Sequence, residues 1–157
     1  MASIASKRLV KELSEIKSEG CPVGIHLIHS DDFSRWIFSI EVLGDSLYQV
    51  PLFDASLAFE VDWLSEVHTL QFRFDLQYPI SSPAVQFVVT DGKEAPIHPH
   101  VYSNGHVCPV LSVIAVCITI QSMLASCKEK KRPLDDRMYV RSAPENPKKV
   151  SERYLAH

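Results

Sequence analysis

Leu70, Phe72, Phe74 and Leu76 alternate with Gln71, Arg73 and Asp75. A strict period of two admits one structure, a strand with one face buried and one face wet. Trp36, Phe38, Ile40 and Val42 repeat the pattern inside Arg35–Leu43, which stops at the turn signal Gly44-Asp45. Val23–Ile28 and Pro83–Val89 read as two shorter strands, and Tyr78-Pro79 with Ser81-Ser82-Pro83 punctuate the interval between Thr69–Leu76 and the last of them. Consecutive strands joined by short turns predict an antiparallel meander.

A sheet with one apolar face needs a cover. At the start of the chain Ser3 suits an N-cap, Ala5, Leu9, Leu13 and Ile16 recur at helical spacing, and Gly20 is a natural stop. Val110–Cys127 is apolar on nearly every side, which predicts a buried helix. Residues 128–157 are polar and carry Pro133, Pro144 and Pro147. Met138–Val140 and Tyr154–Leu155 are their only candidate packing anchors. The expected fold is α+β: an N-terminal helix, a four-stranded antiparallel meander, a long loop over 90–110, a buried central helix and a C-terminal tail. Residues 1–149 form the expected domain and 150–157 a short tail. Val50–Ser65 fits neither period: either it is an extra packed hairpin or helix turn, or it does not belong to the natural fold.

The 157 residues, 46% apolar and 22% charged, suit one domain with a sizeable core. The N-terminus is amphipathic and lacks an apolar h-region, so the chain is expected inside the cell, in cytoplasm and nucleus, with Cys21, Cys108, Cys117 and Cys127 reduced. Basic residues gather in 128–157, but the run Lys-Glu-Lys-Lys-Arg is short, contains Glu129 and follows a helix end. Nucleic acid and membrane are therefore not expected partners. Lys7, Arg8 and Lys11 form the wet side of the first helix, either a solvated face or a docking surface for an acidic partner.

His98, His100, His106 and Cys108 lie within one loop. Three chemistries compete. Metal binding is disfavoured, because all four residues share a loop and no second ligand pair lies elsewhere. A small buried thiol among hydrogen-bonding histidines is the plain structural reading. The third is a nucleophilic thiol with a polar loop packed beside it.

The wording of the loop, HPHVYSNGHVC at 98–108, resembles the active-site signature of ubiquitin-conjugating enzymes, H-P-N followed by N-G-x-[IV]-C. His100 stands where most of the family has Asn, and that variant is similar to the W class. The starting segment MASIASKRLVKEL, QYPISSPAVQF at 77–87, SMLASCKEKKRPLDD at 122–136 and YVRSAPENPKK at 139–149 resemble that class in colinear order.

The resemblance implies an acyl carrier. Cys108 would take ubiquitin as a thioester from the activating enzyme and pass it to a lysine or N-terminal amine of a protein substrate. His100 would support the oxyanion, His98 and Pro99 would fix the loop, and Asn104-Gly105 would turn it back towards Cys108. No bound cofactor or metal is implied, since ATP is consumed upstream by the activating enzyme. Lys7, Arg8 and Lys11 would dock that enzyme; Ile80, Pro109 and Val110 would meet a ligase of RING or U-box type. Two features depart from the family pattern: the insertion at about 50–65, and the loss of the Leu-rich turn and Trp-Ser that normally follow the Cys. A retained intron with a shifted splice site would produce both; sequencing the transcript tests this. The same loss supports an alternative, a catalytically impaired module that only binds its partners. Because Pro109 directly follows Cys108, the thiol is expected at or just before a helix N-cap, where the dipole would favour a thiolate. Cys117 and Cys127 are expected inside the helix and inert.

Overall fold

The structure, a computed structural model, describes residues 3–42, 46–48, 67–90, 92–107 and 112–148. Helix α1 spans Ile4–Glu19. The Ser3 side chain accepts a hydrogen bond from the Ser6 N–H at the start, and Gly20, at φ +79°, donates its N–H to the Ile16 carbonyl at the end. Ala5, Leu9 and Ile16 are buried as their spacing requires. Glu12 is buried as well: its carboxylate accepts from the Tyr78 hydroxyl and from Arg8 Nε at 2.7 Å.

Strands β1 (Ile25–Asp32), β2 (Arg35–Glu41), β3 (Val67–Arg73) and β4 (Ala84–Phe87) form one antiparallel sheet in sequence order, the meander expected. Trp36 pairs with Phe72, and Phe38 pairs with both Leu27 and Leu70. Trp36, Phe38, Ile40, Leu70, Phe72, Val85 and Phe87 are essentially inaccessible to water.

The strand ends differ from expectation. Val23 lies outside β1 and is exposed. β3 stops at Arg73, so the alternation overran: Phe74 is half-buried and Leu76 is 85% exposed. The cause is local, because the Asp75 carboxylate accepts from the Gln77 N–H at 2.9 Å and turns the chain. Val89 likewise falls beyond β4 and is exposed. Leu43, Gly44-Asp45 and Val50–Ser65 lie outside the described residues.

Helix α2 spans Val113–Ala125, with Ser112 as N-cap. Val113, Val116, Cys117, Ile120 and Leu124 join the core, while Ile118 is exposed, so the helix has one wet side rather than none. Gln121 ties α2 to the sheet end through the Val23 and Glu41 carbonyls at 3.0 and 2.9 Å. Cys127 lies past the helix end; its sulfur lies 3.4 Å from the Tyr48 hydroxyl oxygen and its thiol donates to the Glu129 carbonyl. Cys117 is fully buried, and that burial, with Cys21 adding, pushes its thiol up to about 12, as an inert core cysteine requires.

The tail is more ordered than its composition suggests. Asp136–Ser142 forms a third helix, α3, and Met138, expected as an anchor, is exposed on it. Beyond it Arg73 bonds Glu145, and Lys148 reaches Asp75 and the Ser81 hydroxyl. Tyr154–Leu155 lie outside the described residues.

Candidate active site

The loop carrying the histidines lies between β4 and α2, and it is anchored from both. Ala95 and Pro96 are buried at its entry, and the Tyr48 hydroxyl donates to the Ile97 carbonyl. His98 is buried; its Nδ1 accepts the His100 N–H at 3.0 Å, and its carbonyl accepts the Val101 N–H at 3.0 Å. Pro99 and His100 therefore form the tip of a tight turn, both exposed, above a fully buried Val101.

A ring nitrogen that accepts cannot carry a proton, so His98 is the neutral tautomer protonated at Nε2. Burial lowers its pKa, His100 adds to the effect, and a hydrogen bond with the Met123 backbone opposes it. His98 thus braces the turn through its ring nitrogen and its carbonyl. The exposed imidazole of His100 is free of that constraint and stands at the tip.

Tyr102–Gly105 makes the second turn. Gly105 donates to the Tyr102 carbonyl at 2.9 Å, and the Asn104 side chain accepts from the His106 N–H at 3.1 Å. Gly105 has φ +87°, and its carbonyl accepts the Phe87 N–H at 2.8 Å, which welds the turn to β4. The Asn104-Gly105 turn is present as expected.

Three residues hold this loop: Asp136 and Arg132, to which the sequence assigned no such role, and Tyr139, which lies in the expected anchor Met138–Val140. Asp136 accepts from the Ser103 N–H at 2.7 Å and from its hydroxyl at 2.9 Å. Tyr139 stacks on Tyr102 with ring centres 3.7 Å apart, and its hydroxyl lies 3.0 Å from His106 Nδ1. Arg132, read in sequence as part of a basic run, donates to the carbonyls of Ala95, Pro96 and Val101. Asp136 and Tyr139 stand three apart on α3, a spacing that puts them on one helix face, whereas Arg132 precedes the helix and no periodicity announces it.

Among the described residues no group of three or more His, Cys, Asp or Glu is disposed to hold a metal ion. Cys108, Pro109 and Val110 lie outside the described residues. The expectation that Pro109 opens the helix is corrected. α2 begins at Val113 behind Ser112, so Cys108 is not its N-cap and the dipole argument for a depressed thiol pKa falls. Ser112 holds the cap position with an extended backbone (φ −61°, ψ 160°) and no side-chain cap hydrogen bond.

Of the expected partner-binding residues, Ile80 is 88% exposed, beside the cis Tyr78-Pro79 bond. Lys7 and Lys11 are exposed on α1, Lys11 with Glu15 at 3.8 Å. Arg8 differs, because it leans on the buried Glu12 carboxylate.

A family model described as "Ubiquitin-conjugating enzyme" matches residues 61–155. The "Ubiquitin-conjugating enzyme E2 W" of Caenorhabditis elegans is 41% identical, over 96% of this chain and 94% of its own length. The chain belongs to the ubiquitin-conjugating enzyme family. The probable E2 W-A of Danio rerio is 37% identical over 98% of this chain and 97% of its own, which places the protein in the W class. Among solved structures, the ubiquitin-conjugating enzyme UbcA1 of Agrocybe aegerita is similar, with 61% identity, a TM-score of 0.79, and coverage of 93% of this chain and 99% of that one. As a ubiquitin-conjugating enzyme the chain falls in the transferase class. Membership brings with it, in general terms, ubiquitin, an activating enzyme and a ligase as partners.

Proposed function

We propose that Cys108 carries ubiquitin as a thioester and delivers it to a protein amine. The observation that carries this reading is the loop: a locked neutral His98 and the Asn104-Gly105 turn present His100 at an exposed tip within the same signature as Cys108. In the acceptor step the amine nitrogen bonds the thioester carbonyl carbon, the carbon–sulfur bond breaks, the cysteine leaves as thiolate, and the amine's proton passes to solvent. The tetrahedral oxyanion formed on the way needs a donor, and His100, in the place of the family's Asn, supplies one.

His98 Nδ1 is already occupied by the His100 N–H, so His98 does not serve as the base for the incoming amine. That favours an amine that is uncharged without help. An α-amino group, with a pKa near about 8, is about a few hundredfold more often neutral at pH 7 than a lysine at about 10.4. N-terminal acceptors are thus the preferred substrates of this reading. The carrier needs no bound cofactor, since ATP is spent by the activating enzyme, and it operates in cytoplasm and nucleus.

The test is a charging assay with activating enzyme, ATP and ubiquitin, read on non-reducing gels. The expected result is a reducible adduct lost in Cys108→Ala and kept in Cys21→Ser. Discharge is expected onto a free N-terminal peptide in preference to its Nα-acetylated form. An adduct that survives Cys108→Ala refutes the assignment.

A second reading is favoured by one observation. Only three residues separate Cys108 from the α2 cap at Ser112, where the family has a longer segment. If wild type binds ubiquitin and a RING or U-box ligase through Ile80, Pro109 and Val110 yet takes no thioester, the chain is an interaction module.

Lys7 and Lys11 dock the activating enzyme in this reading. Charge reversal at both should slow charging and leave the melting temperature within a degree or two, because exposed substitutions stay near about 0.5 kcal/mol. Arg8→Glu should behave differently. It leaves the Glu12 carboxylate, 8% exposed, beside a like charge, and costs about 1–3 kcal/mol in stability. Unchanged charging kinetics at low salt for Lys7→Glu/Lys11→Glu would return α1 to a solvated face.

A further inference from the structure

Arg132, between α2 and α3, joins the two limbs of the histidine loop. Its Nη1 donates to the Pro96 carbonyl at 2.7 Å and the Val101 carbonyl at 3.3 Å, and its Nη2 donates to the Ala95 carbonyl at 2.6 Å. Ala95 and Pro96 precede His98-Pro99-His100, and Val101 follows it directly. All three bonds end on backbone oxygens. A planar guanidinium can hold several carbonyls in one fork; an ammonium on a single-file stem cannot reproduce that geometry.

The His100 ring is exposed, and the hydrogen bond described for this residue is made by its backbone, to His98 Nδ1. Where the ring stands is therefore inherited from the backbone of residues 97–101. Arg132 fixes the separation of the limbs from which that backbone arches.

We propose that Arg132 is a positioning residue that sets the width of the His98–His100 loop and so the place of the His100 side chain during acyl transfer. The proposal rests on the reading of Cys108 as the acyl carrier. Arg132 touches neither acyl group nor amine; it acts through the loop. Misplacement of a reacting group by about 1 Å costs about a hundredfold in rate, so a loosened loop should show in discharge before it shows in folding.

The test uses the full chain in three variants: Arg132→Lys, Arg132→Ala, and Lys131→Gln as a neighbouring charge control. Amide hydrogen exchange reports the loop through the Val101 N–H, which is buried and bonded to the His98 carbonyl. The Phe38 and Leu70 amides, paired across β2 and β3, report the sheet. Single-turnover discharge of the thioester onto an N-terminal peptide reports the chemistry.

In Arg132→Lys the Val101 amide is expected to exchange about tenfold or more faster, with Phe38 and Leu70 unchanged. Maximal discharge should fall about ten- to a hundredfold, with the peptide's half-saturating concentration and the charging rate within about twofold of wild type. Millimolar guanidinium should restore discharge to Arg132→Ala, and methylammonium should not. The proposal is overturned by unchanged Val101 exchange, by discharge within about twofold of wild type, by an equal loss in Lys131→Gln, or by failed guanidinium rescue. A wild-type chain that takes no thioester defeats the carrier reading instead. The exchange measurement then decides alone whether Arg132 shapes the loop.

Discussion

Replacing Gly105 with alanine is expected to lower the melting temperature by roughly 5–20 °C. Two costs add. The backbone at φ +87° lies in the left-handed region, where a side chain costs about 1–2 kcal/mol. An added Cβ would also lie well inside the van der Waals radius of the Phe87 carbonyl oxygen, which belongs to β4 and cannot swing aside. Relieving such a clash costs about 1–3 kcal/mol more. Gly92 is the control: its φ is +82°, but among the described residues nothing lies within 4 Å of where a Cβ would go. Gly92→Ala should therefore show the first cost alone. Equal losses at the two positions, measured by thermal melts, would exclude the close approach of Gly105 to Phe87 as the cause.

Acidification should produce a loss of similar size. Burial is the main reason that His68 titrates low, with Lys130 adding to it, and its pKa is brought down to about 4. Burial also lowers His98 and His106; His100 adds to the first, and the Glu145 backbone opposes the second. In the unfolded chain all three titrate near about 6.5. Below that pH the unfolded state binds protons that the folded state refuses, so stability falls as pH falls. The contribution is complete above the unfolded value and is lost on the way down to the folded one. For His68 the window runs from about 6.5 to about 4 and amounts to about 3 kcal/mol. Melts at pH 7.5 and pH 5 should differ accordingly, and His68→Gln should flatten the difference. A melting temperature constant across that interval would contradict the buried neutral state of these histidines.

The meander and both ends of α1 were legible because they depend on neighbours in sequence: Leu70 and Phe72 alternate, Ser3 caps, Gly20 stops. One error arose where a local polar group intervened. Asp75 ended β3 before Leu76 in this way; the start of α2 at Ser112 involves no such bond, since its side chain makes no cap hydrogen bond. The loop-fixing role expected of His98 came from the resemblance of the loop to a known signature and not from residue types alone. What held the loop in turn could not be read. Asp136 and Tyr139 lie 33 residues from the groups they bind, and Glu12 lies 66 from Tyr78. Composition makes Glu12 a surface acid and Asp136 part of a polar tail. Only the folded chain shows that one is buried and the other clamps Ser103. The seven residues of α3 bury none of their side chains, so no apolar period announces the helix.

The sheet joins strands in the order they are made, with β1 and β2 meeting across a two-residue turn, whereas the site joins Phe87 to Gly105 and Ser103 to Asp136. The β1–β2 hairpin is the local pairing and closes early, whereas the β2–β3 pairing and the Ser103–Asp136 contact span similar lengths of chain and wait until loop-closure entropy has been spent. The site should therefore be absent from the folding transition state. Substitutions at Gly105 or Asp136 should leave the refolding rate nearly untouched and accelerate unfolding, whereas truncating Leu27 or Phe38, which pair across the β1–β2 hairpin, should slow refolding. The lifetime of the native protein is then set largely by the loop, and the speed of reaching it by the hairpin.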